Sequence, residues 1–124
     1  MTNNSKKVLI VDDAQKMREI LSFMLKNEGF DVIESVNGKD ALNKLRGSNI
    51  DMLITDLNMP EMNGFELVQH LRNNSSFHST PVIMVTSEDH ELIRKKAEQL
   101  GVNEWITKTL IHSDLIKAVN RLTM

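Results

Sequence analysis

Five short apolar runs mark the chain at fairly regular intervals. Three of them, residues 8–11, 50–55 and 82–86, are continuous rather than alternating, which is typical of parallel strands buried on both faces. The other two, residues 30–36 and 104–107, are less apolar and suit positions nearer the edges of a sheet. The pattern therefore predicts five strands.

Apolar residues recur at helical spacing after each of these runs. The five sets are Met17, Ile20, Leu21, Met24 and Leu25; Ala41, Leu42 and Leu45; Phe65, Leu67, Val68 and Leu71; Leu92, Ile93, Ala97 and Leu100; and Leu115, Ile116, Val119 and Leu122. We expect helix N-caps at Asn37, Asn63 and Ser113, and helix ends at Gly29, Gly47 and Gly101. Strands that alternate with helices imply right-handed crossovers, so we predict an α/β fold with a five-stranded parallel sheet and helices on both faces.

Length and composition narrow the class of protein. The chain has 124 residues, 40% of them hydrophobic and 26% charged, which suits one globular domain. We expect residues 1–5 to be disordered and residues 6–124 to form that domain. Cysteine is absent, which excludes disulfides and thiolate metal sites. No segment resembles a signal peptide or a membrane span, and the net charge is −2, so we expect a cytoplasmic protein without nucleic-acid or membrane partners.

Polar residues follow four of the five predicted strands. In an open parallel sheet, ligands bind beyond the carboxyl ends of the strands, so these side chains are expected at one edge. They are Asp12 and Asp13 after the first strand, Asp56 after the third, Thr86 and Ser87 after the fourth, and Lys108 after the fifth. A single aspartate after a strand is more often a turn residue, but the combination favours a functional site.

The charges of this group suit phosphoryl chemistry. Three carboxylates and one ammonium sum to −2, which a Mg²⁺ ion would neutralise, and oxygen ligands without histidine or cysteine suit that ion. An aspartate can then act as a nucleophile toward phosphorus, while the lysine and a hydroxyl contact the phosphoryl oxygens.

The motifs at these positions resemble those of the two-component receiver domain, the phosphorylated module of response regulators. The matching segments are residues 8–13, residues 56–64 with the pattern Asp-x-x-Met-Pro-x-x-x-Gly, residues 85–87, and Lys108. Together they cover almost the whole chain in the family's order. The resemblance implies a flavodoxin-like sheet with strand order 2-1-3-4-5.

The resemblance also implies a role for each matching residue. Asp56 would be the phosphorylated residue. Asp13, Asp56 and the backbone carbonyl of Asn58 would ligate Mg²⁺ directly, with Asp12 acting largely through water. Lys108 would pair with the phosphoryl group or with Asp56.

A second group of implied roles concerns phosphate binding and switching. The Thr86 hydroxyl would turn toward the phosphate, and the backbone of Ser87 would help to bind it. Trp105, the single tryptophan, stands where the family usually has a switch tyrosine or phenylalanine. It is either a partly exposed aromatic of an edge strand or a ring that packs inward when Thr86 moves. The family also has a proline after the lysine, joined to it by a cis bond. Here Thr109 follows Lys108, so the sequence leaves open whether the Lys108–Thr109 peptide bond is cis or trans.

These implications predict a switch that catalyses only its own phosphorylation and dephosphorylation. A histidine kinase would donate its phosphoryl group to Asp56, and the altered surface would bind a protein such as a flagellar motor component or a phosphatase. No effector domain follows in this sequence, so the output is expected to be a protein contact. The alternative is a single-domain phosphorelay intermediate that passes the group to a His phosphotransfer protein.

Two other classes fit the sequence poorly. A phosphatase of the haloacid dehalogenase type needs a second aspartate two residues after its nucleophile. If Asp12 were that nucleophile, the position would be occupied by Ala14. A nucleotide-binding module needs a phosphate loop rich in Gly, Ser or Thr after the first strand, and this loop is acidic.

Overall fold

The computed structural model describes residues 6–123, so the disorder expected for residues 1–5 lies outside the described residues. The strands are β1 (Lys7–Val11), β2 (Asp31–Ser35), β3 (Met52–Thr55), β4 (Val82–Thr86) and β5 (Glu104–Thr107). The α-helices are α1 (Gln15–Asn27), α2 (Gly38–Leu45), α3 (Gly64–Arg72), α4 (Glu91–Gln99) and α5 (Ile111–Thr123). A short 3-10 helix, Lys108–Leu110, joins β5 to α5.

The five strands form one parallel sheet in the order β2-β1-β3-β4-β5, which confirms the predicted fold class. The two less apolar strands, β2 and β5, lie at the edges as expected. The central strands are buried along almost their whole length because helices cover both faces. The carboxyl ends of β1 and β3 are therefore adjacent, with the end of β4 beside them.

Two hydrophobic cores lie on opposite faces of the sheet. On one face α1 and α5 pack over the side chains of Val8, Ile10 and Ile54. On the other, α2, α3 and α4 pack over the side chains that alternate with these along the strands, such as Leu9 and Leu53. Within residues 6–123, no helix is long and apolar enough to cross a membrane.

Two of the three predicted N-caps are present. The Asn37 side chain accepts a hydrogen bond from Asp40 N (2.8 Å), and Asn63 forms a reciprocal capping box with Glu66. The N-cap predicted at Ser113 is wrong, because the 3-10 helix leads directly into α5 and the first turn starts at Ile111. Ser113 instead lies inside that turn, where its hydroxyl donates to the Leu110 carbonyl (3.2 Å).

The loop between α3 and β4 is anchored by one apolar and one charged residue. The Phe77 ring is buried in the core beside α3. The Arg72 guanidinium donates to backbone carbonyls of this loop, including Thr80 (2.7 Å), and of the α4–β5 loop, including Gly101 (2.7 Å). These contacts join two loops at the end of the sheet opposite the acidic residues.

Candidate functional site

An acidic cluster lies at the carboxyl ends of β1 and β3. One carboxylate oxygen from each of Asp12, Asp13 and Asp56 lies within 4.8 Å of the other two. The Lys108 ammonium reaches this cluster from the end of β5, with Nζ 3.1 Å from Asp56 Oδ2 and 3.4 Å from Asp12 Oδ2. Residues from three separate parts of the chain thus form one charged site.

Asp12 is the most buried carboxylate of this cluster, with 1% of the residue exposed. Its Oδ1 accepts a hydrogen bond from Ala14 N (2.9 Å), whereas its buried Oδ2 has no hydrogen-bond partner within residues 6–123. Burial raises the pKa of Asp12, and the Asp56 charge adds to this, against the Ala14 N–H and Lys108, which lower it. A buried carboxylate oxygen that makes no hydrogen bond, beside two further carboxylates, fits a divalent cation that prefers oxygen ligands.

Asp56 is held on all sides by backbone and side-chain contacts. Its amide donates to the Val11 carbonyl (2.9 Å), and its Oδ1 accepts from Leu57 N (2.7 Å). Its Oδ2 accepts from Lys108. Only 6% of the residue is exposed, so Asp56 is almost fully buried at the edge of the sheet.

The loop that carries Asp56 turns back sharply into α3. Gly64, the first residue of that helix, donates its amide to the Leu57 carbonyl (2.8 Å). A Cβ at Gly64 would lie 2.3 Å from the Asp56 carbonyl oxygen, which is closer than any side chain can come. Glycine is therefore required here by close backbone approach.

Lys108 is partly buried, with 23% of its side chain exposed. Burial by itself lowers the pKa of this ammonium, but the hydrogen bond and charge of Asp56, together with Asp12, raise the pKa overall. The Lys108–Thr109 peptide bond, left open by the sequence, is trans. The lysine thus reaches the carboxylates from the first residue of the 3-10 helix.

Thr86 and Ser87 lie at the end of β4, beside the acidic cluster in the sheet order. Thr86 is fully buried, and its hydroxyl accepts a hydrogen bond from Glu88 N (3.2 Å). Ser87 is exposed. In the described part of the chain, neither side chain hydrogen-bonds to the carboxylates. The Asn58 side-chain amide instead donates to the Glu88 carboxylate, which links the β3–α3 loop to the β4–α4 loop.

Trp105 lies on the edge strand β5 and is half-buried. Its ring packs against the core formed by α2, α3 and α4, and the Arg94 guanidinium lies 5.9 Å from the ring centroid. The indole Nε1 is buried and has no acceptor within residues 6–123. The structure therefore shows a partly exposed aromatic of an edge strand, and its switch role stays a prediction.

The sequence analysis did not single out Arg18, which borders the site. Its Nη1 donates to the Asp12 backbone carbonyl (2.8 Å) from the first turn of α1. A signal was available, since a cation near the start of a helix is disfavoured by the helix dipole and therefore calls for a specific partner.

Comparisons with known proteins agree with these motifs. A family profile described as "Response regulator receiver domain" matches residues 8–120. Protein PilG of Pseudomonas aeruginosa is 34% identical over 113 residues, which are 91% of this chain and 84% of that protein. Chemotaxis protein CheY1 of Helicobacter pylori is 42% identical over 104 residues, 82% of this chain and 84% of that protein.

Solved structures give the same result. Chemotaxis protein CheY4 of Vibrio cholerae superposes with a TM-score of 0.90 at 33% identity, over 95% of this chain and 98% of that one. Response regulator TrrA of Thermotoga maritima, described in complex with Mg²⁺–BeF, has a TM-score of 0.84 at 28% identity, over 94% and 98% of the two chains. The resemblance indicated by the sequence motifs is thereby confirmed, and the chain belongs to the receiver domain family of response regulators.

Proposed function

We propose that residues 6–124 form a phospho-acceptor switch of the chemotaxis type, in which Asp56 receives a phosphoryl group from the phosphohistidine of a histidine kinase. The observation that carries this proposal is the contact of one ammonium with two buried carboxylates, Lys108 with Asp56 and Asp12, beside a third acidic side chain. The family and the chemotaxis proteins among its relatives support it. As part of the proposal, the protein acts in the cytoplasm.

The acidic cluster is the proposed Mg²⁺ site. Asp13, Asp56 and the backbone carbonyl of Asn58 would hold the ion directly, and Asp12 would act largely through water. Bound there, the ion would neutralise the remaining negative charge of the site and of the incoming phosphoryl oxygens. The buried Asp12 Oδ2 makes no hydrogen bond within residues 6–123 and lies 3.4 Å from Lys108 Nζ, which supports this assignment.

The transfer itself is a substitution at phosphorus. A carboxylate oxygen of Asp56 forms a new P–O bond while the P–N bond to the kinase histidine breaks, and the imidazole nitrogen keeps that electron pair. Lys108, already 3.1 Å from Asp56 Oδ2, balances the charge of the phosphoryl group. The Thr86 hydroxyl and the Ser87 backbone amide are proposed to bind phosphoryl oxygens. Attack by water on phosphorus later releases phosphate and restores the carboxylate.

Phosphorylation is proposed to act on partners through a shift between two conformations. A phosphoryl group that binds Thr86 and Lys108 favours the conformation in which both face it, and a partner that prefers this conformation then binds more tightly. A flagellar motor component or a phosphatase is the proposed kind of partner, since CheY1 and CheY4 are chemotaxis proteins. The alternative is a phosphorelay intermediate. It would be favoured if the phosphoryl group moved from Asp56 to a His phosphotransfer protein faster than it is lost to water.

The direct test is phosphorylation by acetyl phosphate with Mg²⁺, followed by intact-mass spectrometry. We expect one added phosphoryl group on the wild type, and none on Asp56→Asn or on wild type treated with EDTA. Asp31→Asn, at an exposed position on β2, is the matched control and should be modified like the wild type. Unchanged labelling of Asp56→Asn would contradict the proposal.

A further inference from the structure

Arg18 is a cation in an unfavourable place. It lies in the first turn of α1, where the helix dipole repels positive charge, and only 14% of its side chain is exposed. Both effects cost free energy unless the guanidinium has partners that compensate for them. The contacts of Arg18 show what those partners are.

The guanidinium joins α1 to two strands beside the acidic cluster. Its Nη1 donates to the Asp12 backbone carbonyl (2.8 Å), directly after β1. Its Nε lies 3.7 Å from Oε1 of Glu34, a residue of the neighbouring strand β2. Arg18 thus spans the position where the acidic loop leaves the sheet.

With the Arg18 contact, three polar atoms of Asp12 make hydrogen bonds. Its amide donates to the Ser35 carbonyl (3.2 Å), its carbonyl accepts from Arg18, and its Oδ1 accepts from Ala14 N (2.9 Å). Only Oδ2 is left without a hydrogen bond, and it lies 3.4 Å from Lys108 Nζ. The direction of that oxygen therefore depends on three anchors, and Arg18 supplies the one that comes from a side chain.

We propose that Arg18 is a positioning residue that holds the Asp12 main chain so that the acidic site prefers Mg²⁺ to a larger divalent cation. The inference rests on the proposed function, in which this cluster binds Mg²⁺. Magnesium demands near-octahedral ligands at about 2.0–2.1 Å, whereas Ca²⁺ accepts flexible sets at about 2.3–2.6 Å. A loop loosened by loss of Arg18 should therefore lose Mg²⁺ affinity more than Ca²⁺ affinity.

Three possible roles of Arg18 predict different results. If its charge alone mattered, removal would lessen the repulsion of cations and tighten the binding of both ions. If it only stabilised the fold, folded variants would bind both ions as the wild type does. A positioning role lowers the affinity for both ions, and more for Mg²⁺.

The test measures Mg²⁺ and Ca²⁺ dissociation constants of the full chain by isothermal titration calorimetry. We expect Arg18→Met to weaken Mg²⁺ binding by about 10-fold, the low end for groups that orient metal ligands, with a smaller loss for Ca²⁺. Arg18→Lys keeps one donor for the Asp12 carbonyl and should restore part of the difference. Arg46→Met, at an exposed arginine that follows α2, is the matched control and should bind both ions nearly as the wild type does.

Several outcomes would overturn the inference. Equal losses for the two ions, unchanged affinities or tighter binding by Arg18→Met would each exclude a positioning role. If Arg18→Met does not fold in a circular dichroism melt, Arg18→Lys decides the question by the same ratio of affinities. A wild type that binds no Mg²⁺ refutes the proposed function, and the inference with it, whereas normal binding by the wild type and both variants refutes the inference alone.

Discussion

At the scale of single residues, the chemistry of this protein depends on carboxylates held in an unfavourable environment. Asp12 is buried and faces Asp56, and burial raises its pKa above the ordinary value of 3.8. The charged form of Asp12 is therefore less stable in the folded protein than in the unfolded chain. A cation site built in this way is expected to cost stability while the cation is absent.

Asp12→Asn is predicted to raise the free energy of unfolding at pH 7 by about 1 kcal/mol in the absence of Mg²⁺. Since the folded pKa of Asp12 is raised, its favourable contribution is present in full below pH 3.8 and is lost as the pH rises through the folded value. The stability of variant and wild type should therefore converge in acid and separate toward neutral pH. Urea unfolding across this range checks the prediction, and parallel curves would contradict it.

Addition of Mg²⁺ should reduce the difference in stability between these two proteins. A ligand at tenfold excess over its dissociation constant stabilises the folded state by about 1.4 kcal/mol, and the wild type should gain this in full. Asp12→Asn should gain less, because the variant lacks one of the charges that attract the ion. Urea unfolding curves of both proteins in Mg²⁺ check this prediction. The same curves after addition of EDTA, which removes the ion, are the control.

At the scale of secondary-structure elements, the loop between β3 and α3 positions the acceptor carboxylate. The capping box of Asn63 and Glu66 starts α3 at Gly64, and that glycine packs against the backbone of Asp56. The helix start and the acceptor residue therefore share one rigid turn. A substitution at the first residue of α3 is therefore expected to displace Asp56 although it changes none of the carboxylates.

Gly64→Ala is predicted to destabilise the fold by about 2 kcal/mol, because its Cβ would overlap the Asp56 carbonyl oxygen. It should also slow phosphorylation by acetyl phosphate, since Asp56 must shift. Gly47→Ala is the matched control: Gly47 has a positive φ of 83° but open space around it, so strain alone should cost about 1 kcal/mol and leave phosphorylation unchanged. Equal phosphorylation rates for Gly64→Ala and the wild type would count against this role of the turn.

At the scale of the whole molecule, the sheet connects the acidic site to the surface formed by α4 and β5. Thr86 at the end of β4 pairs with Thr107 on β5, and Trp105 lies two residues earlier on that strand. Its indole Nε1 is buried without an acceptor, and its ring is only half-buried against the core. A second position of this ring, packed further inward, is the proposed readout of phosphorylation at Asp56.

Fluorescence of Trp105, the single tryptophan, should report that movement directly. We expect acetyl phosphate with Mg²⁺ to shift the emission to shorter wavelength and to reduce quenching by iodide, because the ring leaves water. Mg²⁺ alone, and Asp56→Asn with both reagents, should give no such shift. Thr86→Ala should take up the phosphoryl group without the shift, and a normal shift in this variant would argue against coupling through Thr86.

The sequence predicted the regular elements better than their junctions. Continuous apolar runs identified β1, β3 and β4 because all of their residues except Lys7 are buried on one face or the other. The start of α5 was misplaced, because Ser113 is a good capping residue in isolation and the preceding 3-10 helix depends on how β5 ends. Local chemistry determines which residues can cap a helix, and the packing of its neighbours decides whether they do.

By itself, the sequence determined the alternation of strands and helices and the group of acidic residues expected at one sheet edge, since both follow from periodicity along the chain. Its motifs indicated the family and, through it, the strand order. Only the tertiary structure decided that Lys108 contacts both Asp12 and Asp56, that its bond to Thr109 is trans, and that Arg18 binds the Asp12 carbonyl. The reason is physical: a contact between elements depends on how helices pack across the sheet, which no single segment encodes.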